Sequence, residues 1–270
     1  MSSISNKSIF YIFPIVAWAS AVNALLPSFL NTLSKPFSNA VSHGFGHNYV
    51  LWLSLILSAK VLLNTNLSHK SKVYLPYLSL LSIFLILPSA TTSWLICSMA
   101  CVFWFLSFRE TSDKCKFEKA SILILLAISI REPVCQLLLS LFSNEILRFD
   151  AWASGSILDI IYGNTVIQNN LIHKNGGHSL LILTGCSALS NISWALLLWM
   201  SLTLYIHSTL KTCDYWRVVG VIFTVLVINC SRLALMALEE DYYRVLHQQG
   251  GSMLIETITL VLTAFWVKWR

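Results

Sequence analysis

The sequence predicts an all-α, polytopic integral membrane protein, and three observations lead to this fold class. Of the 270 residues, 56% are hydrophobic and only 11% are charged. The mean hydropathy of +0.69 is far above that of a soluble domain with a polar surface. Apolar runs of roughly 17 to 25 residues, the length of a helix that crosses a bilayer, recur along the chain. We therefore expect residues 1–270 to form a single membrane domain.

The hydropathy pattern predicts about eight membrane-spanning helices. Their predicted bounds are 9–30, 49–64, 73–88, 91–108, 120–142, 186–209, 218–238 and 252–268. Leu87-Pro88-Ser89 predicts a tight turn between the third and fourth spans. The first run lacks a convincing cleavage site of small residues, so we expect a membrane helix there rather than a removed signal peptide.

The distribution of basic residues predicts the orientation in the membrane. With the amino terminus inside, twelve of the eighteen Lys and Arg residues lie on the inner side and four on the outer side. An excess of Lys and Arg in short cytoplasmic loops sets topology, so we expect both termini in the cytoplasm. The remaining two, Arg131 and Arg232, lie inside predicted spans. The net charge of +6 reflects this orientation and does not indicate nucleic-acid binding.

A segment of about 143–185 predicts an extracytoplasmic insert before the sixth span. Within it, 144–161 has apolar residues interleaved with Asp150, Trp152 and Asp159. This pattern is typical of an amphipathic helix that lies in the membrane interface. Such a helix would guide an extended peptide toward the next span.

Three polar side chains are predicted at similar depth near the outer face. Cys186 begins the sixth span, Arg232 lies about two turns from the outer end of the seventh, and His247 precedes the eighth. A guanidinium inside an apolar span is costly, and such a residue is a functional candidate by default. Asn229 is three residues before Arg232 and therefore shares its helix face. The predicted catalytic region spans about 180–256.

These residue types together indicate acyl transfer on a peptide bond. A thiol becomes a competent nucleophile when a neighbouring cation or imidazole favours the thiolate. Arg232 would stabilise the thiolate or the oxyanion, and His247 would deliver a proton to the leaving amine. Asn229 would orient the guanidinium or donate a hydrogen bond to the substrate carbonyl.

The order Cys186-Ser187, Asn229-x-x-Arg232, and His247 followed by Gly250 resembles the exosortase/archaeosortase family of membrane-embedded cysteine transpeptidases. The resemblance is best over about 120–260. It implies that Cys186 is the nucleophile and that Arg232 and His247 complete the catalytic set. It also implies exported substrate proteins that end in a short motif, a membrane helix and a basic cluster. Family members cut near the motif and pass the new carboxyl end to an acceptor, often in bacteria that make exopolysaccharide.

Two further features bear on the resemblance. The family usually has Gly after Cys-Ser, whereas this chain has Ala188, which indicates a divergent branch. Before the Cys, residues 165–171, a Gly176-Gly177 turn and residues 178–183 look like a short extracytoplasmic hairpin that leads to the nucleophile. The implied location is the bacterial inner membrane, with the active site facing the periplasm.

Other roles stay open for several of these residues. Arg232 would have a purely structural role if it formed an ion pair with Glu256, Glu239 or Glu240. We include Ser187 and Glu256 as supporting or substrate-binding candidates. For the whole chain, the alternative function is a non-catalytic membrane component of exopolysaccharide assembly or export, whose polar residues line a conduit or a helix interface.

A second polar cluster, Arg131-Glu132-Pro133, interrupts the fifth predicted span near its middle. Its simplest role is a self-compensating ion pair beside a proline kink. A dock for a substrate helix or a conduit is the functional alternative, so Arg131 and Glu132 are secondary candidates. Cys97 and Cys101 are one turn apart but predict core packing rather than metal ligation. We predict no metal site and no cofactor.

Overall fold

In a computed structural model, the protein is mostly α-helical. The structure describes residues 12–42, 44–63, 89–107, 115–174, 178–247 and 249–268. Four of the described helices are long and apolar enough to cross a membrane: Phe13–Leu33, Lys116–Tyr162, Ala188–His207 and Asp214–Leu238. Such helices are typical of a membrane protein, as the composition predicts. The predicted third span, 73–88, lies outside the described residues.

The described helices follow one another along most of the chain. In chain order they are α1 (Ile12–Leu33), α2 (Phe37–Ser42), α3 (Tyr49–Leu63), α4 (Ala90–Ser107), α5 (Lys116–Tyr162), α6 (Ala188–His207), α7 (Asp214–Leu238), α8 (Glu240–His247) and α9 (Gln249–Lys268). α3 and α4 are apolar but shorter than the four long helices. α9 covers the predicted eighth span. The chain divides into two compact units, Met1–Pro133 with Met200–Leu210 and Val134–Trp199 with Lys211–Arg270.

The first unit is held together by hydrogen bonds between small polar side chains. Asn23 Nδ2 of α1 donates to Ser93 Oγ of α4 at 2.8 Å. The hydroxyls of Ser58 and Ser121, both fully buried, lie 2.9 Å apart. Small polar residues join helices in this way where the surroundings are apolar, because an unpaired hydroxyl or amide there is costly.

α5 contains one interruption, although its 47 residues are otherwise helical. Phe142 has non-helical backbone angles, φ −125° and ψ 23°. The predicted proline kink concerns Pro133, which lies inside α5 nine residues earlier. The predicted fifth span and the predicted insert helix over 144–161 are consecutive parts of α5, separated by the kink at Phe142.

A three-stranded antiparallel sheet follows α5 in the second unit. Its strands are β1 (Thr165–Gln168), β2 (Leu171–Lys174) and β3 (Ser179–Leu181), in the order β1-β2-β3. The sequence predicted one hairpin with its turn at Gly176-Gly177; this turn lies outside the described residues, which omit 175–177. An additional two-residue turn joins β1 to β2, where Asn169 adopts φ 52°. Asn tolerates this left-handed conformation better than most residues, which explains the turn.

One apolar cluster holds the sheet against α5 and α7. Its members are Leu147, Ala151, Leu158, Ile172, Leu180, Ile182, Leu233, Ala234, Met236, Ala237 and Leu238. Gly155 lets α5 approach β1, because a Cβ at this position would lie 2.6 Å from Cγ1 of Ile167. Cys186, Tyr243 and Leu246 pack against the same cluster. The turn that carries Cys186 and the helix α8 therefore pack against one core.

α9 packs closely on α7. A Cβ at Gly220 would lie 2.6 Å from Cη2 of Trp266, so only glycine fits beneath the indole ring. The Trp266 Nε1–H group donates to Thr224 Oγ1 at 3.1 Å, one turn further along α7. This contact fixes the distance between the two helices.

Candidate active site

Cys186 lies at the junction between the sheet and α6. It is the last residue of a single 3₁₀ turn, Thr184–Cys186, that follows β3. The backbone N–H of Cys186 donates to the Leu183 carbonyl at 2.9 Å, and the N–H of Ser187 donates to the Thr184 carbonyl at 3.2 Å. The thiol is free and the residue is half-buried. The amino end of α6 therefore begins immediately after the thiol, where a helix favours negative charge.

Ser187 caps α6 rather than facing solvent. The residue is fully buried, and its Oγ accepts a hydrogen bond from the Leu189 N–H at 3.2 Å. This is the geometry of an N-cap serine, which satisfies one of the free N–H groups of the first helical turn. Ser187 thus supports the turn that carries Cys186.

Asp150 of α5 satisfies the preceding N–H group of the same helix end. Its Oδ2 accepts a hydrogen bond from the Ala188 N–H at 3.1 Å, and only 1% of the residue is exposed. Sequence reasoning placed Asp150 on an amphipathic helix but did not assign it to the site. The available signal was the position of Asp150 between Leu147 and Ala151, apolar residues of the same stretch.

Asn229 of α7 contacts the backbone of Cys186 directly. Its Nδ2 donates to the Cys186 carbonyl at 3.2 Å, and its Oδ1 accepts from Asn191 Nδ2 of α6 at 2.9 Å. The residue is 2% exposed. The sequence predicted that this amide orients Arg232 or faces the substrate, but its hydrogen bonds in the structure go to the Cys186 turn and to α6. Asn191 was missed because its contact depends on how two helices face each other.

Arg232 connects α7 to the end of α8. Its Nη2 donates to the Leu246 carbonyl at 3.0 Å. Its Nε is buried and has no hydrogen-bond partner among the described residues. Cationic side chains stabilise the carbonyl end of a helix, so this contact also helps to hold α8 in place. Leu246 is the hydrogen-bond partner that the described residues provide for this guanidinium.

The carboxylates considered as ion-pair partners of Arg232 have other environments. Glu240 pairs with Arg244 at 2.7 Å, and the hydrogen bond and charge of Arg244 lower the pKa of Glu240. Glu256 is exposed on α9 and Glu239 is exposed at the end of α7. Within the described parts of the chain, none of the three lies within ion-pair distance of the Arg232 guanidinium.

His247 is the exposed last residue of α8, and its ring stacks on an aromatic residue. The rings of His247 and Tyr243 are 4.9 Å apart with an interplanar angle of 15°. The ring of His178 also contacts that of Tyr243, with centroids 5.6 Å apart. Sequence reasoning singled out neither Tyr243 nor His178. The four-residue spacing of Tyr243 and His247 within one helix was the usable signal.

Two hydrogen bonds link the elements that carry the predicted residues. Cys186 contacts Asn229, and Arg232, on the next turn of α7, contacts the residue before His247. Among the described residues, no hydrogen bond joins the thiol to the guanidinium or to the imidazole. Cys186 and Leu246 thus pack against the same apolar cluster, to which residues of α7 belong.

The secondary candidates lie in the first unit. Arg131 Nη1 and Glu132 Oε2 form an ion pair at 2.6 Å, as in the structural interpretation of this cluster. Cys97 and Cys101 are both fully buried in α4. Within the part of the chain that the structure describes, no three His, Cys, Asp or Glu side chains are grouped as metal ligands.

Comparisons of this chain with protein-family models, with curated proteins and with solved structures gave no match. The support for a function therefore comes from the contacts of Cys186, Asn229, Arg232 and His247.

Proposed function

We propose that this protein is a membrane-embedded cysteine protease or transpeptidase of the exosortase/archaeosortase type. It processes the carboxy-terminal sorting signals of exported proteins through a thioester on Cys186. One observation carries the proposal: Asn229 bonds to the Cys186 carbonyl at 3.2 Å, while Arg232 bonds at 3.0 Å to the carbonyl of Leu246, next to His247. A continuous set of contacts thus joins the elements that carry the sulfur, the guanidinium and the imidazole.

The proposed reaction has two acyl-transfer steps. The Cys186 thiolate attacks the scissile carbonyl carbon, and the oxyanion that forms is stabilised by the Arg232 guanidinium. The C–N bond then breaks, the leaving amine takes a proton from His247, and the substrate acyl group remains on sulfur as a thioester. Water or an acceptor amine attacks the thioester, gives up a proton to His247 and releases the thiolate. The steps need no cofactor.

The proposed setting is the inner membrane of a bacterium that makes exopolysaccharide. In this arrangement about eight helices cross the membrane, both termini are cytoplasmic, and the insert at about 143–185 and the site face the periplasm. The excess of basic residues in the loops assigned to the inside supports it. The partners are the lipid bilayer and exported proteins with a short motif, a membrane helix and a basic cluster, and no nucleic acid takes part.

The test is the processing of a tagged exported protein that carries such a tail, in cells and with the purified enzyme. Cys186→Ala and Cys186→Ser are expected to abolish processing. Cys213→Ser is the matched control, because Cys213 is an exposed thiol outside the site. Mass spectrometry of the enzyme trapped with substrate should find the acyl group on Cys186. Full processing by both Cys186 variants would refute the proposal.

A non-catalytic role in exopolysaccharide assembly or export remains the rival. The observation that favours it is that Arg232 and Asn229 both hold backbone carbonyls, which is a structural task. In that case Cys186→Ala leaves exopolysaccharide export unchanged, whereas Asn229→Leu impairs it by disturbing the helices. Loss of export together with unprocessed substrate in Cys186→Ala favours the enzyme.

A further inference from the structure

We propose that Asp150 is a positioning residue for the thiol of Cys186. It holds the first turn of α6 in place and thereby fixes where the sulfur meets the substrate. This inference rests on the proposed function, since it names a further residue of the same site. Asp150 touches neither substrate nor reacting atoms in this role, so it is not a catalytic residue.

The burial and the contacts of Asp150 support this role. A carboxyl group that is 1% exposed is costly to bury unless polar groups surround it. Its Oδ2 accepts the Ala188 N–H at 3.1 Å, and the Ser187 side chain is a second polar neighbour. The Ser187 oxygen in turn accepts the Leu189 N–H at 3.2 Å. The N–H groups of Ala188 and Leu189, the first two of α6, therefore donate to Asp150 and to Ser187.

The turn at Cys186 is held from two sides. Asn229 of α7 binds the carbonyl of Cys186 at 3.2 Å, and Asp150 of α5 binds the N–H of Ala188 at 3.1 Å. Two different helices thus bind two consecutive peptide groups, Cys186–Ser187 and Ser187–Ala188. A side chain on a turn with such supports has a small range of positions, as acyl transfer requires.

The supporting helix is itself anchored. Leu147 and Ala151, one turn before and one residue after Asp150, belong to the buried cluster beneath the sheet. The position of the carboxyl group is therefore set by core packing rather than by a mobile loop. A change that moves the carboxyl oxygen relative to this core moves the acceptor of the Ala188 N–H and, with it, the turn.

Two variants separate geometry from charge. Asp150→Asn removes the charge but keeps an acceptor oxygen at the same distance from the backbone. Asp150→Glu keeps the charge but adds one methylene, which displaces the oxygen. If position is what matters, Asp150→Asn should behave like the wild type and Asp150→Glu should be impaired. Asp159→Asn is the matched control, since Asp159 lies on the same helix and accepts the Thr165 N–H at 3.1 Å, but is exposed.

Two measurements are made on the full-length protein in nanodiscs. The first is the rate at which N-ethylmaleimide alkylates Cys186, read by mass spectrometry of its peptide, with exposed Cys213 as the internal standard. The second is the processing rate of the tagged substrate. For Asp150→Glu we expect an alkylation rate changed several-fold and processing slowed by about 10²-fold, a loss that a displacement of about 1 Å can cause. For Asp150→Asn and Asp159→Asn we expect both rates near the wild-type values.

Any other pattern overturns the inference: both Asp150 variants impaired, both unaffected, or only Asp150→Asn impaired. Alkylation of Cys97, which is fully buried, reports unfolding. If Asp150→Asn is unfolded, the inference is overturned. If Asp150→Glu is unfolded, Asp150→Ser takes its place, because its shorter side chain also displaces the acceptor oxygen. We expect the same loss of processing for Asp150→Ser. Alkylation needs no substrate. A wild-type protein without processing, but with the expected alkylation pattern, would refute the proposed function and leave the positioning role intact.

Discussion

The side-chain amide of Asn229 donates a hydrogen bond to the backbone carbonyl of Cys186 at 3.2 Å. The same amide accepts a hydrogen bond from Asn191 at 2.9 Å, so one buried side chain joins α6, α7 and the turn between β3 and α6. Buried polar groups that lose such a partner keep the full cost of their burial. The first prediction follows from this bond.

Asn229→Leu keeps the volume of the side chain but removes both hydrogen bonds. The Cys186 carbonyl and the Asn191 amide lose their partner, so we expect the free energy of unfolding to fall by about 1–3 kcal/mol. Processing of the tagged substrate should fall as well, because the turn is released. Asn31→Leu, at an exposed position of α1, is the control. Equal denaturation midpoints for Asn229→Leu and the wild type would contradict the prediction.

Arg232→Lys separates charge from the geometry of the guanidinium. Lysine can still donate one hydrogen bond to the Leu246 carbonyl, so we expect little change in stability. It cannot present several N–H groups in one plane, and the loss of an oxyanion donor typically lowers kcat by about 10²–10³-fold. Turnover of the tagged substrate measures this. Arg244→Lys is the control because Arg244 is exposed and pairs only at the surface with Glu240. Unchanged turnover in Arg232→Lys would argue against an oxyanion role.

Tyr243 is expected to hold the imidazole of His247 by ring stacking. The rings lie 4.9 Å apart, and an aromatic pair of this kind contributes about 0.5–1.5 kcal/mol. Tyr243→Leu should therefore slow processing, whereas Tyr243→Phe retains the ring and should be close to the wild type. The comparison of kcat for the two variants is the measurement. If both slow the reaction equally, the phenol hydroxyl rather than the stack is what matters.

Gly220→Ala tests the close contact between α7 and α9. The added Cβ would lie 2.6 Å from Cη2 of Trp266, whose indole is held by Thr224. Overpacking of this kind costs about 1–3 kcal/mol. We expect a lower midpoint in thermal unfolding, partly restored when Trp266→Leu is added. Gly185→Ala is the control, since a Cβ at Gly185 meets nothing within 4 Å. A Gly220→Ala protein as stable as the wild type would rule out the packing at this point.

The long apolar runs and the isolated polar residues within them could be read from the sequence because both are local properties. The run that begins at residue 186 and the one over 218–238 correspond to α6 and α7. Asn229 and Arg232 were recognised as one helix face from their spacing alone. The contacts of Asn229 with Asn191 and with the Cys186 turn depend on the orientation of whole helices, which spacing does not contain.

Three local features were also beyond the sequence pattern. Glycine pairs are the usual turn signal, so the turn between β1 and β2, in which Asn169 takes a left-handed conformation, was not predicted. The non-helical backbone angles at Phe142 in α5 were not predicted either. The sequence assigned Asp150 to the polar face of an interfacial helix. Alternation of apolar and polar residues does not show whether a carboxyl group contacts solvent or the end of another helix.

α7 and α5 bind the backbone at Cys186 and Ala188, whereas two leucine side chains shortly before the thiol are exposed. Leu181 and Leu183 are 55% and 60% exposed, and they precede the thiol by five and three residues. Their side chains can therefore be exchanged for larger, smaller or charged ones without loosening the anchors on either side of the sulfur. If the protein has the proposed function, these two leucines are positions at which side chains can be varied while the turn that carries Cys186 keeps its hydrogen bonds.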